Sequence, residues 1–223
     1  MRRRSFVFSL AMLVTLALQM PAANACMGSN ILLEDDFKTM APNWSKDDAS
    51  WAGNSMFLMT PQLHYEKLAL NDKYLPADMD ACVDLVLTAG DLTSGELVWH
   101  NAGGLAFWVA DPSREYSSLN YKFLVSPEGT FAIFRSEVTR QPPQFNRIAV
   151  IDWTKSPAIK PGLNQVNTLR VMTKGNQATF YVNGTRLTAI TGQPPPHGDK
   201  IGLVGASGAT QSNWHFSNFK VTD

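Results

Sequence analysis

Cysteine is nearly absent from this 223-residue chain, with two in all, and no Cys/His spacing of the kind that holds zinc occurs. A basic stripe is missing too: 19 Lys and Arg stand against 19 Asp and Glu, which argues against a nucleic-acid partner. The apolar run from Phe6 to Leu18 falls short of the roughly 20 residues a membrane helix needs, and no transmembrane segment follows it. There is no helical pattern of ordinary length, no internal repeat, no linker and no low-complexity tract. What remains is a single globular domain, 44% hydrophobic and 17% charged, large enough to bury a real core.

The first 25 residues read as an export signal. Arg2, Arg3 and Arg4 form a positive n-region, Phe6 to Leu18 an apolar centre, and Ala23-Asn24-Ala25 a small-residue cleavage site. Arg3-Arg4-Ser5-Phe6 also resembles the start of a twin-arginine signal, although Arg2 stands where that motif usually has Ser or Thr. Cleavage leaves 16 basic residues against 19 acidic ones. Both cysteines survive it. In an oxidising compartment Cys26 and Cys82 are expected to form a disulfide, with a lipid anchor on Cys26 as the rival use of that thiol.

From residue 26 to 223 the pattern is of short strands separated by turn residues. Between Thr168 and Ile190, three alternating segments are split by Lys174-Gly175-Asn176 and Asn183-Gly184, a three-stranded meander with tight hairpin turns. A second hairpin joins LNYKFLVS to TFAIFR through Pro127-Glu128-Gly129. Strands are also expected at ILLEDDF, SMFLMT, QLHYEKLAL, DACVDLVL, GGLAFWVA, RIAVIDW and KIGLVGAS. In the last strand Trp214 and Phe216 have one parity and Phe219 and Val221 the other, which predicts a bulge near Ser217 or Asn218. Asn43 to Asn54 reads as a loop with aromatic anchors, Asp91 to Ala102 as an insertion, and the proline-rich Gln141 to Phe145 and Ser156 to Gly162 as loops. About a dozen strands imply two packed antiparallel sheets.

Four stretches in this order carry a family resemblance. They are LEDDF followed by Trp44; NAGGLAFWVADPSREYSSLNYKFLVSPEGTFAIFR; NQVNTLRVMTKGNQATFYVNGTRL; and DKIGLVGASGATQSNWHFSNFKV. The chain resembles the concanavalin A-like lectin/glucanase superfamily, and within it most nearly the 3-keto-disaccharide hydrolase-like, laminin-G-like jelly rolls. The resemblance implies an all-β, two-sheet antiparallel jelly-roll sandwich, with the first and last strands paired at one edge. It further implies ligands on the concave sheet or its rim, polysaccharide binding or cleavage, and in some members a structural calcium. The glucanase pattern E-x-D-x-x-E is missing, so its paired-carboxylate chemistry is unsupported and no catalytic residue carries over.

Alternation through the second hairpin and the preceding strand places Leu105, Phe107, Tyr121 and Phe123 in the core. It then puts Trp108, Asn120, Lys122 and Arg135 on the open face, with Trp99, His100 and Tyr116 at the rim. Sugars want such a mixture of aromatic faces, amides and cations. Glu96, Asp111, Glu115, Glu128, Glu137 and Asp152 are the candidate acids, and His64, His197 and His215 are scattered polar positions. Asp35 and Asp36 are the weak candidates for calcium, against the plainer reading of a charged strand end. The expected protein is an exported, periplasmic or secreted carbohydrate-binding sandwich, with an oligosaccharide or polysaccharide as partner. A glycoside hydrolase or lyase of the 3-keto-disaccharide type is the first alternative, and a structural or envelope-interaction module the second.

Overall fold

A computed structural model describes residues 26–39, 43–45, 50–52, 55–60, 65–92, 100–110, 117–140 and 143–223. The expected signal segment, His64, Glu96, Trp99, Asp111, Glu115 and Tyr116 lie outside these residues. Fourteen strands occur among the described residues: β1 Ile31–Asp35, β2 Ser50–Ala52, β3 Ser55–Thr60, β4 Glu66–Leu70, β5 Met79–Ala89, β6 Ala102–Val109, β7 Ser117–Val125, β8 Thr130–Arg140, β9 Pro143–Lys155, β10 Asn167–Lys174, β11 Gln177–Val182, β12 Thr185–Thr191, β13 Lys200–Ala206 and β14 Ser212–Thr222.

They form two antiparallel sheets. One has six strands in the order β4-β13-β6-β7-β8-β9; the other has eight, β12-β11-β10-β5-β14-β3-β2 with β1 also on β14. The first and last strands do pair, but β14 is interior to its sheet. Its one side carries β5, and its other side is shared by β3 along Ser212 to Phe216 and β1 along Phe219 to Thr222. The predicted bulge separates these halves: register shifts between Ser217 and Lys220, and Asn218 has φ 52°.

Alternation builds the core. In β11 Ala178, Phe180 and Val182 are buried while Thr179 and Tyr181 are not. Phe180 reaches the other sheet, with its ring 5.6 Å from Phe107 and 5.0 Å from Phe123. Each such buried ring contributes about 2 kcal/mol or more. Asn183 and Gly184 both have positive φ, 50° and 80°, the geometry of the two-residue turn that matches strand twist. One end of the sandwich is closed by Phe37, Trp44 and Phe219, where Trp44 Nε1 donates to Asp35 Oδ2 at 2.8 Å. The Cys26–Cys82 disulfide ties residue 26 to β5 with a Cα–Cα distance of 5.8 Å. The sulfur that a lipid anchor would use is the one in this bond. Two loop expectations need correcting: β2 (Ser50–Ala52) lies inside the stretch Asn43 to Asn54, where it pairs with β3, and β9 begins at Pro143, inside the proline-rich stretch. Pro is tolerated there because it is the first residue of an edge strand.

Candidate functional site

Parity decides which side chains of the six-stranded sheet turn away from the core. Leu119, Tyr121, Phe123 and Val125 of β7 belong to the cluster shared with the other sheet, so Asn120, Lys122 and Leu124 stand on the outer face. Register carries this across neighbouring strands: Asn120 is opposite Ser136, and Ser136 is opposite Arg147. The next row runs from Lys122 to Phe134 to Ala149. Leu68, Ala106, Val109, Leu124, Ala132, Phe134, Val204 and Trp153 give the same face its own apolar cluster.

Polar groups on this face are deeply placed. Asn120, Lys122 and Ser136 are 4%, 3% and 0% exposed. Lys122 Nζ donates to Glu66 Oε1, so this deeply placed ammonium has its carboxylate. Arg147 lies with its guanidinium carbon 3.7 Å from the centre of the Phe134 ring. Burial pulls the Arg147 pKa below its ordinary range, and the charge of Glu66 opposes that shift. Asn120 Oδ1, Ser136 Oγ and Arg147 Nε are buried with no hydrogen-bond partner. An unmet polar group of this kind costs about 1–3 kcal/mol, and here three share one cross-strand row.

An aromatic wall stands beside the row. Trp153 meets Phe134 edge-on at 5.9 Å, and the His100 ring lies 4.3 Å from Trp153. His100 Nδ1 is 3.8 Å from Glu128 Oε2, too far for a hydrogen bond. Burial lowers the His100 pKa; Glu128 raises it, Arg147 lowers it and Asp152 raises it, with burial the largest influence. The imidazole is therefore neutral at pH 7. The margin of β9 is the open side of this face, with Asn146, Ala149 and Asp152 exposed.

Of the residues chosen by alternation, Asn120, Lys122 and His100 come to this face. Trp108 does not. It is fully buried in the inter-sheet core against Phe107 at 5.2 Å and Tyr121 at 5.3 Å, with φ 47°. The register of β6 on β13 shifts between Lys200 and Gly202, so Phe107 and Trp108 both turn inward and Val109 turns out. Gly192 makes room: a Cβ there would lie 2.5 Å from the Trp108 ring. Arg135 is also misplaced by simple alternation of the open-face set, since it sits opposite the core residue Tyr121. Its side chain is 25% exposed and 4.0 Å from Glu137. Ser136, Arg147, Glu66, Phe134 and Trp153 complete the site and were not among the choices. Only register across β4, β7, β8 and β9 brings them together.

The two residues expected to help hold calcium have partners within the protein. Asp35 already accepts from Phe37 N and Trp44 Nε1, and Asp36 pairs with Lys38 at 2.7 Å. Among the described residues no group of three or more His, Cys, Asp or Glu is arranged to hold a metal. Two clefts of about 660 and 640 Å³ lie elsewhere. In the first, Asp35 and Asp36 have these partners and Glu34 has Lys220 at 3.9 Å. The second includes the bidentate Arg170–Asp80 pair, both bonds 2.7 Å. Neither has a row of unmet groups like that on β7–β9.

No protein-family model matches the chain, and a search of curated proteins found no match. Solved structures do match it. The carbohydrate-binding module CBM66 from Bacillus subtilis has a TM-score of 0.57 at 15% identity, covering 81% of this chain and 96% of its own. A galectin-like protein of unknown function from Bacillus subtilis scores 0.60 at 14% identity, over 88% and 97%. The Bacillus licheniformis beta-glucanase scores 0.54 at 11% identity, over 86% and 97%. The fold is the concanavalin A-like jelly roll, the two-sheet sandwich that the sequence resemblance implied.

Proposed function

We propose that this is an exported carbohydrate-binding protein, periplasmic or secreted, which holds its ligand on the outer face of the six-stranded sheet. The reading rests on one observation: Asn120 Oδ1, Ser136 Oγ and Arg147 Nε lie in a single buried row without partners, beside the Phe134–Trp153 wall. Saccharides supply both needs, with hydroxyls for the polar row and C–H faces for the rings. The solved structures of like fold include a carbohydrate-binding module and a beta-glucanase, which agrees with the reading. Export is supported by the Cys26–Cys82 bond, since such bonds persist in oxidising compartments. Calorimetric titration of the protein from residue 26 onward with an oligosaccharide panel tests it. Binding that falls at least tenfold in Ser136→Val is expected; a panel with no binder would refute the proposal.

A glycoside hydrolase or lyase of the 3-keto-disaccharide type is the second reading. It is favoured by a neutral, half-buried His100 between Trp153 and Glu128 on this same face. Turnover of a 3-keto-disaccharide that His100→Ala abolishes, while binding survives, would establish it over binding alone.

A further inference from the structure

We propose that the ligand of this face is an acidic saccharide, whose oxyanion seats at Arg147 and Ser136 while a ring hydroxyl meets Asn120. The proposal rests on the carbohydrate reading above and narrows it to a class.

Charge on the face is uneven. Lys122 and Arg147 are both cationic, and Glu66 is hydrogen-bonded to Lys122. Glu66 acts on Arg147 only at a distance, so the guanidinium has no bonded counter-ion. The other carboxylates of the face stand at the His100 end. Glu128 is beside His100, and Asp152 is five residues from Arg147 along β9, roughly 16 Å in an extended strand. The end of the row on β9 thus carries one cation more than it has bonded anions.

The chemistry of the three unmet atoms is selective. Phe134 covers one face of the Arg147 guanidinium, leaving the edge that carries Nε to bond in its own plane. Planar forks of this kind suit an oxyanion better than a lone hydroxyl, and the charge-assisted bond is about twice as strong as a neutral one. Ser136 Oγ, directly opposite in register, can donate to the same oxyanion. Asn120 Oδ1 is different: it is an acceptor and requires a donor. A bare anion satisfies Arg147 and Ser136 but leaves Asn120 unmet. A neutral sugar satisfies Asn120 and Ser136 but leaves the cation without a counter-ion. An acidic sugar meets all three.

The test is calorimetric titration with oligomers of galacturonic, glucuronic and mannuronic acid, their carboxyl-reduced neutral counterparts, a sulfated oligosaccharide, and sodium acetate and sulfate as bare anions. At least one acidic oligosaccharide should bind tenfold or more tightly than its neutral counterpart, and added salt should narrow the gap. Arg147→Gln should lose that preference, binding the acidic oligosaccharide no more tightly than its neutral counterpart, and Arg147→Lys, which keeps charge without the fork, should fall between. Thermal melts of both variants check that they fold. Uronate or sulfate binding alone identifies the oxyanion, and either outcome supports the proposal. Equal or stronger binding of the neutral sugars, or equal losses for both classes in Arg147→Gln, overturns the charge inference and leaves the carbohydrate reading standing. Binding of bare anions only, or of nothing, overturns both.

Discussion

The meander β10–β12 and the outer strip of β7–β9 treat buried polar groups in opposite ways. In the meander each one is answered. Asn167 Oδ1 accepts from Lys160 N at 2.9 Å and its Nδ2 donates to Lys160 O at 3.0 Å; even the half-buried Asn183 is answered, its Oδ1 accepting from Thr168 N at 2.9 Å and its Nδ2 donating to Ala158 O and Asn167 Oδ1, both at 2.8 Å. Thr173 Oγ1 accepts from Met79 N at 3.0 Å and donates to Ala77 O at 2.7 Å. On the strip, Asn120, Ser136 and Arg147 each leave an atom unmet. A satisfied polar group specifies one fold, whereas an unsatisfied row costs stability and persists where something else repays it. The meander therefore serves as scaffold, and the strip is the face proposed above for the ligand.

Breaking the core that carries both regions has the largest effect. Trp108→Ala should destabilise by about 4 kcal/mol, read as a lower urea midpoint, because it leaves a large cavity beside Phe107 and Tyr121. A Trp108 on an open surface would cost well under about 1 kcal/mol.

Next comes the one answered charge of the strip. Glu66→Ala should cost about 3 kcal/mol by stranding Lys122 at 3% exposure. The double variant with Lys122→Met should recover most of it, and a failure to recover would show that Glu66 does more than pair Lys122.

In the meander, Asn183→Ala should cost about 1–2 kcal/mol, through the lost bonds and the positive φ that Ala resists. Its effect on ligand affinity should be within twofold, which separates scaffold from site.

Acid has a smaller effect with a fixed sign. Burial lowers the pKa of both His100 and His215 in the folded protein, so the unfolded chain binds protons first as pH falls below about 6.5. Stability is whole above that value and declines as pH drops toward the folded pKa. His100→Gln should flatten part of the decline in a pH series of thermal melts.

The two regions also differ in how much a linear reading reveals. In the meander, strand parity, Gly175 and Asn183-Gly184 lie within a few residues of one another, so local pattern suffices to place every strand. The same holds for the β14 bulge, which a parity change between Phe216 and Phe219 betrays. The strip depends on non-local facts. One extra inward residue in β6 sends Trp108 into the core, and nothing in GLAFWVA marks it. Arg147 joins Asn120 only through two registers, β7 on β8 and β8 on β9. Asn120, Lys122 and His100 were legible because their strands hold simple alternation or border them. Glu66 was not, because β4 reaches this face by way of β13 and β6.

The most direct test of this division is one variant measured twice. Asn120→Leu removes the unmet Oδ1 and replaces it with an apolar side chain of similar size. Urea unfolding should show stability unchanged or raised, because no native bond of that oxygen is lost, while titration with the best oligosaccharide should show affinity reduced at least tenfold. A loss of more than about 1.5 kcal/mol in stability with affinity intact would contradict the account, and would make Asn120 a structural residue like Asn183.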